Sequence, residues 1–257
     1  MMLSPISPAA SATMKYAIIS DIHGNSEALQ AVLKDIKKKS IDEVICLGDI
    51  VGYYPDPEQC VEMVRNAVSV CVAGNHDYVA IGRIDTGTFT YYAFAAMEWT
   101  KANISSQTKS YLASLPLSVE KDAMFFTHSS PSNPGEWVYV FPDSEDAVFE
   151  AFNSLTFRLN FIGHTHWPSI LIQSGERIVL HSEHSVILEN SVPYYLINAG
   201  SVGQPRDFDS RACYAIYNTE SQIISLIRVP YNLAVTQRKI RNSRLPIFLA
   251  ERLEKGR

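Results

Sequence analysis

Five short polar clusters, each directly after an apolar run, gather the residues of this sequence best able to do chemistry. They are Asp21-Ile22-His23-Gly24-Asn25, Gly48-Asp49-Ile50-Val51-Gly52, Gly74-Asn75-His76-Asp77, Thr127-His128 and Gly163-His164-Thr165-His166. Asp21, His23, Asp49, Asn75, His128, His164 and His166 offer oxygen and imidazole nitrogen with no thiolate, a donor set suited to hard-to-borderline divalent cations. In an extended stretch the i and i+2 residues of Asp21-x-His23 and His164-x-His166 can point the same way and reach one metal or two neighbouring ones. Carboxylates and imidazoles set against apolar strands would be costly to bury without partners, and a pair of metals would supply them. The glycines at 24, 48, 52, 74 and 163 allow sharp turns and close backbone approach.

Taken singly, each cluster has a plain structural explanation. An Asp-x-His at a strand end is often a capping constellation, and Gly, Asn and Asp are ordinary turn residues. Five such clusters, all after strand-like runs, are hard to explain as turns alone. Five of the seven histidines lie in them; the other two, His181 and His184, flank Glu183 and read as surface or hydrogen-bonded residues.

The run at 15–20 leads into Ala28, Leu29, Val32, Leu33 and Ile36 at helical spacing, with Ser26 placed as an N-cap. A run at 43–47, a helix near 57–67 and a run at 69–73 repeat the alternation, which implies a mostly parallel sheet with right-handed crossovers. In such a sheet the loops after the strands share one edge, so the five clusters converge there. Residues 88–114 predict one long and one short helix whose aromatics belong to the core. A run at 123–127, a helix over 143–154 and a run at 159–162 follow. Runs at 169–173, 177–181, 186–188 and 194–198, then a pair at 212–218 and 223–229, read as antiparallel additions to a second sheet.

No repeat or linker divides the chain, so residues 14–257 read as one domain and residues 1–13 as a disordered or non-native extension. The 257 residues are 46% apolar, enough for a full core, and the net charge of −5 makes duplex nucleic acid an unfavoured partner and weakens a nuclease reading. The basic cluster Arg238, Lys239, Arg241 and Arg244 reads as a solvated helix face. Cysteines at 46, 60, 71 and 213 form no Cys-x-x-Cys pair and read as thiols buried in a reducing compartment. With no signal-peptide pattern and no stretch of membrane-spanning length, the expected location is cytoplasmic.

In this order, the five clusters resemble the motif set of the calcineurin-like metallophosphoesterase superfamily, in particular its small bacterial and archaeal members, over residues 15–210. The resemblance implies an α/β fold, a sandwich of two mixed β-sheets flanked by helices, with two divalent metal ions at the strand ends. It implies that Asp21, His23, Asp49 and His166 hold one metal and Asp49, Asn75, His128 and His164 the other, with Asp49 bridging. It places His76 beside the substrate with Asn75, touching the phosphate or protonating the leaving group, oriented by Asp77. The chemistry is attack on phosphorus by a hydroxide shared between the two cations. Mn, Fe, Zn, Ni and Mg all suit these ligands.

A loop like the Gly-rich segment 198–207 lies near the metals in the members this sequence resembles. Arg206 within it could reach a substrate phosphate or pair with Asp207 or Asp209. Tyr53, Tyr54, Trp137, Tyr139 and Phe141 could stack on a nucleobase or merely pack their loops. The superfamily's protein phosphatases and symmetrical dinucleotide hydrolases carry an arginine soon after the bridging Asp; here Gly52-Tyr53 follows, which argues against protein dephosphorylation. The expected activity is that of a phosphodiesterase or nucleotide phosphatase on a small phosphorylated substrate. The alternative is a non-catalytic scaffold of the same fold, although no ligand of the motif set is missing, nor is His76.

Overall fold

The apolar runs become short strands. The computed structural model describes residues 13–87 and 89–257. In chain order the strands are β1 (Lys15–Ile19), β2 (Glu43–Cys46), β3 (Val70–Cys71), β4 (Ser118–Lys121), β5 (Met124–Thr127), β6 (Leu159–Ile162), β7 (Ser169–Ser174), β8 (Arg177–Leu180), β9 (Ser185–Ile187), β10 (Tyr195–Asn198), β11 (Ala212–Asn218) and β12 (Ile223–Val229). They form two six-stranded mixed sheets, β3-β2-β1-β11-β12-β9 and β4-β5-β6-β10-β7-β8. Helices α1 (Ser26–Lys38), α2 (Pro57–Ala67), α3 (Asn75–Ala80), α4 (Tyr91–Ala102) and α5 (Ser106–Ser114) precede β4 in the chain; α6 (Glu145–Asn153) precedes β6, and α7 (Leu233–Asn242) and α8 (Phe248–Glu254) close it.

Alternation along β1 explains the layering. Tyr16 and Ile18 pack between the sheets with Phe126, Phe161 and Ile197, whereas Ala17 and Ile19 face Leu29, Val32 and Cys60 of the helices on one side. On the other side Val148, Ala151 and Phe152 of α6 cover Ile162, Leu171 and Leu196. A strand buried on both faces must be apolar throughout, which is why these runs do not alternate. The expected sandwich of two mixed sheets flanked by helices is the observed fold. Strands β1, β2 and β3 run parallel, as do β5, β6 and β10, so the loops after them open on one edge.

Several expectations are corrected. The cap of α1 is Asn25, whose Oδ1 accepts from Ala28 N at 3.2 Å; Ser26 is the first helical residue and donates to Asp56 Oδ2 at 2.7 Å. Strands β9, β11 and β12 join the first sheet, because β11 pairs antiparallel with β1 and β12 with both β11 and β9. Strand β4, polar in sequence, went unanticipated. Helices α4 and α5 are the long and short pair expected of 88–114, yet Tyr91 (77% exposed), Tyr92 and Phe94 (45%) face outward, since α4 turns Ala93, Ala96, Met97 and Thr100 inward. In the basic cluster Arg238, Arg241 and Arg244 are exposed, but Lys239 pairs with Glu27 Oε1 at 2.6 Å and Asp56 Oδ2 at 2.7 Å, tying α7 to α1.

All four cysteines are free, three of them buried and Cys71 half-buried. Among the described residues no helix is long and apolar enough to cross a membrane. Of the expected N-terminal extension, residues 1–12 lie outside the described residues.

Candidate active site

The loops that follow β1, β2 and β6 hold their donors in an unusual backbone conformation. Asp21 (φ 54°), His23 (53°), Asp49 (52°), His164 (66°) and His166 (60°) are all left-handed, at a cost of about 1–2 kcal/mol each for a residue with a Cβ. The loops fix one another against that cost: Asp21 N donates to Gly48 O at 3.1 Å, His23 N to Asp49 O at 2.8 Å and Gly203 N to Asp21 O at 2.9 Å. Ser201 Oγ adds a bond to Asp21 O at 2.8 Å, and Asn198 Nδ2 reaches Gly163 O at 2.7 Å. Segment 198–204 is therefore a clamp on the metal-ligand loops. At Gly74 a Cβ would run into the Asp49 carboxylate, so here glycine serves close approach.

The structure brings the candidate ligands into two adjoining groups. In one, His166 Nε2 lies 3.1 Å and His23 Nε2 3.7 Å from Asp21 Oδ1, and the two Nε2 atoms are 3.1 Å apart. In the other, His128 Nε2 lies 3.4 Å from Asp49 Oδ2 and 3.1 Å from His164 Nδ1. Asp49 Oδ2 is also 3.5 Å from His23 Nε2, so this carboxylate stands between the groups. Asn75 heads α3 and lines the same cavity as His76 and His164.

The hydrogen bonds on the far side of each ring show that these donors fit a cation. His23 Nδ1 faces Val51 O at 3.2 Å, His128 Nδ1 faces Leu47 O at 2.7 Å, His166 Nδ1 faces Gln204 O at 2.6 Å and His164 Nε2 faces Trp137 O at 2.8 Å. A carbonyl only accepts, so each of those nitrogens carries a proton, and in the neutral ring the opposite nitrogen turns a lone pair inward. In the neutral rings four lone pairs thus face inward together with Asp21 Oδ1 and Asp49 Oδ2, and without a cation only a second proton on a ring, as on His128, stands between them. Asp21 Oδ1 and Asn75 Oδ1 are likewise buried with no hydrogen-bond partner. Divalent cations would satisfy all of these groups together.

The electrostatics carry the same tension. Burial alone would raise the Asp21 and Asp49 carboxyls, yet His166 beside the first and His128 beside both hold them well below the ordinary range. Burial would lower His128, but Asp49 and Asp21 push it up to about 10, while burial and then His128 bring His164 down to about 3.

Of the remaining predicted residues, His76 lines the cavity and, with His23 and Asp49, also forms a third group close enough to hold a metal. Its backbone N donates to Asp49 Oδ1 at 2.8 Å, its Nδ1 lies 3.2 Å from Met97 Sδ, and its ring packs at 4.7 Å against those of His23, Tyr53 and Phe89. Asp77 is a correction, because it makes no bond to His76. Its Oδ1 accepts from Ile50 N at 2.9 Å and Val51 N at 3.2 Å, and its Oδ2 from Gly74 N at 3.0 Å, which stitches the Asp49 loop to the start of α3. Burial and then Asp49 push its carboxyl up to about 7.

Arg206 pairs with neither Asp207 nor Asp209, which are taken by Arg228 and Arg211. It donates instead to Gln204 Oε1 at 2.9 and 3.1 Å and to Tyr53 Oη at 3.3 Å. It lines a cavity of about 810 Å³ that also receives Asn75, His76, His164, Tyr53, Trp137 and Tyr139. Tyr139 stacks on His164 at 3.9 Å, with Phe141 behind it at 5.7 Å. Tyr54 is fully buried and accepts from Gln204 Nε2 at 2.9 Å, so it packs the loop and does not face the cavity. His181 and His184 lie on the surface away from the site, His181 bonded to Ser185 O at 2.9 Å. The sequence reading missed Phe89 against His76, and Arg83 and Arg252 on the cavity wall; no motif marks them.

Fold and ligand geometry together define a metallophosphoesterase architecture. The chain belongs to the calcineurin-like phosphoesterase superfamily, whose domain pattern it matches over residues 14–222. It is 42% identical over 245 residues to an uncharacterized protein of Methanocaldococcus jannaschii, covering 94% of this chain and 98% of that one. Among solved structures, a metallophosphoesterase from Sphaerobacter thermophilus superposes with a TM-score of 0.82 at 38% identity, over 95% of this chain and all of that one. A hypothetical protein from Pyrococcus horikoshii shares the fold with a TM-score of 0.75 at 20% identity, over 95% of this chain and 99% of that one. The superfamily is one of metal-dependent phosphoesterases, and the clustered Asp and His groups are able to hold metal.

Proposed function

We propose that this protein is a phosphoesterase dependent on two divalent metal ions, acting in the cytoplasm on a small phosphorylated substrate as a phosphodiesterase or nucleotide phosphatase. The observation that carries the reading is the set of inward lone pairs and unpartnered carboxylate and amide oxygens beside a cavity of substrate size. Asp21, His23, Asp49 and His166 would hold one cation and Asp49, Asn75, His128 and His164 the other. The chemistry that cations held there would supply is a lowered pKa for a bound water and neutralisation of charge on phosphate oxygens.

The chain's own residues supply the rest. Arg206, held by Gln204 and by the Tyr53 hydroxyl, presents a guanidinium fork to a phosphate oxygen. His76, held by the sulfur of Met97 and the rings of Tyr53 and Phe89, hydrogen-bonds the phosphate or donates to the leaving-group oxygen. Tyr53, Trp137 and Tyr139 give apolar wall area on which a nucleoside can lie. A side chain at Gly52 would strike the His76 ring, so a guanidinium is excluded from that position, and Arg206, which contacts Tyr53, supplies one from the other side.

The test is hydrolysis of p-nitrophenyl phosphate and bis-p-nitrophenyl phosphate with Mn²⁺ and with chelator, by wild type and Asp49→Asn. Turnover that needs Mn²⁺ and disappears in Asp49→Asn supports the proposal. Bound metal with no turnover of either ester would favour the scaffold reading instead.

A further inference from the structure

One wall of the cavity comes from beyond the matched region 14–222. Helix α8 is anchored by Leu249, Ala250 and Leu253, all buried against Tyr53, Tyr54 and Ile240, and Gln237 Nε2 of α7 bonds Ala250 O at 2.8 Å. This packing sets Arg252 on the cavity wall beside Arg206. The guanidinium carbons of Arg206 and Arg252 lie 5.8 and 5.9 Å from the centroid of the same ring, that of Tyr53.

Neither guanidinium has a side-chain carboxylate for a partner: among the described residues none lies within 4.0 Å of either one, whereas nearby Arg211, Arg228 and Lys239 each have such a partner. Asp85 and Glu136 line the cavity as well, yet pair with neither. Arg252 Nε is satisfied by the main-chain oxygen of Arg257, and its cation lies 5.7 Å from the Phe248 ring centroid. These contacts orient the group, and among the described residues its Nη1 and Nη2 make no hydrogen bond. Two half-buried like charges beside one ring are unfavourable unless an anion joins them, and planar guanidinium forks are well shaped for phosphoryl oxygens.

We propose that Arg252 and Arg206 form a second anion subsite beside the metal-ligand cluster, so that the substrate carries at least two phosphoryl groups. One group reacts at the cluster and the next is held by Arg252. This rests on reading the cavity as the phosphoesterase site, and it makes the C-terminal helices the element that selects for di- and polyphosphorylated substrates over monophosphates.

The experiment compares wild type, Arg252→Gln and Arg252→Lys, all metal-loaded, in calorimetric titrations with inorganic phosphate and with methylenediphosphonate, a non-hydrolysable two-phosphoryl probe. Wild type is expected to prefer the diphosphonate by at least about tenfold, and Arg252→Gln to reduce that preference about 10- to 100-fold, the scale of one charge-assisted contact. Arg252→Lys should retain part of it. Melting curves show whether α8 is still packed; if the Gln variant is unfolded, the Lys variant carries the test, and a folded Lys variant with the full wild-type preference overturns the proposal. Equal weakening of both probes, or an unchanged ratio in a folded variant, overturns the proposal. The ratio is read without turnover: a wild type inert toward phosphoesters but selective for the diphosphonate defeats the activity and leaves the subsite, and an active enzyme with no selectivity does the reverse.

Discussion

Removing the Asp77 carboxylate should loosen the metal-ligand loops before it touches the chemistry. Asp77 is fully buried and both its oxygens are engaged, by the backbone N–H groups of Ile50, Val51 and Gly74. Asp77→Ala strands three buried donors, each costing about 1–3 kcal/mol, so the expected loss is roughly 3–9 kcal/mol. That is a large share of the roughly 5–15 kcal/mol that stabilises a domain, and for a chain of this size it lowers the melting midpoint by roughly 6–36 °C. Asp77→Asn keeps one acceptor oxygen and should lose about half as much. The assay is thermal or urea unfolding of the metal-saturated protein, paired with turnover per bound metal well below the midpoint. If both variants unfold within about 0.5 kcal/mol of wild type while turnover per metal collapses, Asp77 acts on His76 after all and the hydrogen-bond argument is wrong.

Three further outcomes follow from the same geometry. His76→Ala should retain both metals by elemental analysis while turnover falls roughly 10²- to 10⁴-fold, the scale of a lost acid or hydrogen-bond donor; a metal-free variant would show that His76 is a ligand. Gly74→Ala pushes a methyl group into the Asp49 carboxylate, and should weaken metal binding about 10- to 100-fold and cost about 1–3 kcal/mol from overpacking, measured by metal titration and unfolding; wild-type affinity would mean that Asp49 does not need its observed place. The hydrogen bond from Arg211 lowers Asp209 from an ordinary 3.8 to about 2, so the stability it contributes is fully present above pH 3.8 and is lost as pH falls through 2. Because solvent around the exposed Arg211 screens the pair, Asp209→Asn should cost about 0.5–1 kcal/mol at pH 6, and urea titrations should show its gap from wild type closing between pH 4 and 2.

The sequence discloses the parts of this molecule that depend on residue type and period. The gathering of Asp21, His23, Asp49, Asn75, His128, His164 and His166 was legible because side chains able to ligate a metal stood after strand-like runs, and the parallel strands bring those strand ends to one edge. What hides is whatever depends on a partner distant in sequence. Arg206 has two acidic neighbours in the chain, but Arg228 and Arg211 hold them, and only the fold shows Arg206 left facing the cavity. Asp77 reads as chemistry because it adjoins His76, whereas its carboxylate has turned to three backbone donors. Strand β11 could have joined either sheet by its alternation, and pairing with β1 decides it. The left-handed backbone at five ligands is invisible because glycine is the usual cue for positive φ, and these residues are Asp and His. Arg252 lies in a helix without a motif, so its place on the cavity wall comes from the packing of α8 alone.

Crystals grown with Mn²⁺ and measured at its absorption edge would locate the ions without reference to activity. Two anomalous peaks are expected in each molecule, one among Asp21, His23 and His166 and one among Asn75, His128 and His164, with Asp49 between them. No peak at these residues, or ions bound only elsewhere on the surface, would contradict the assignment of this cluster as a two-metal centre.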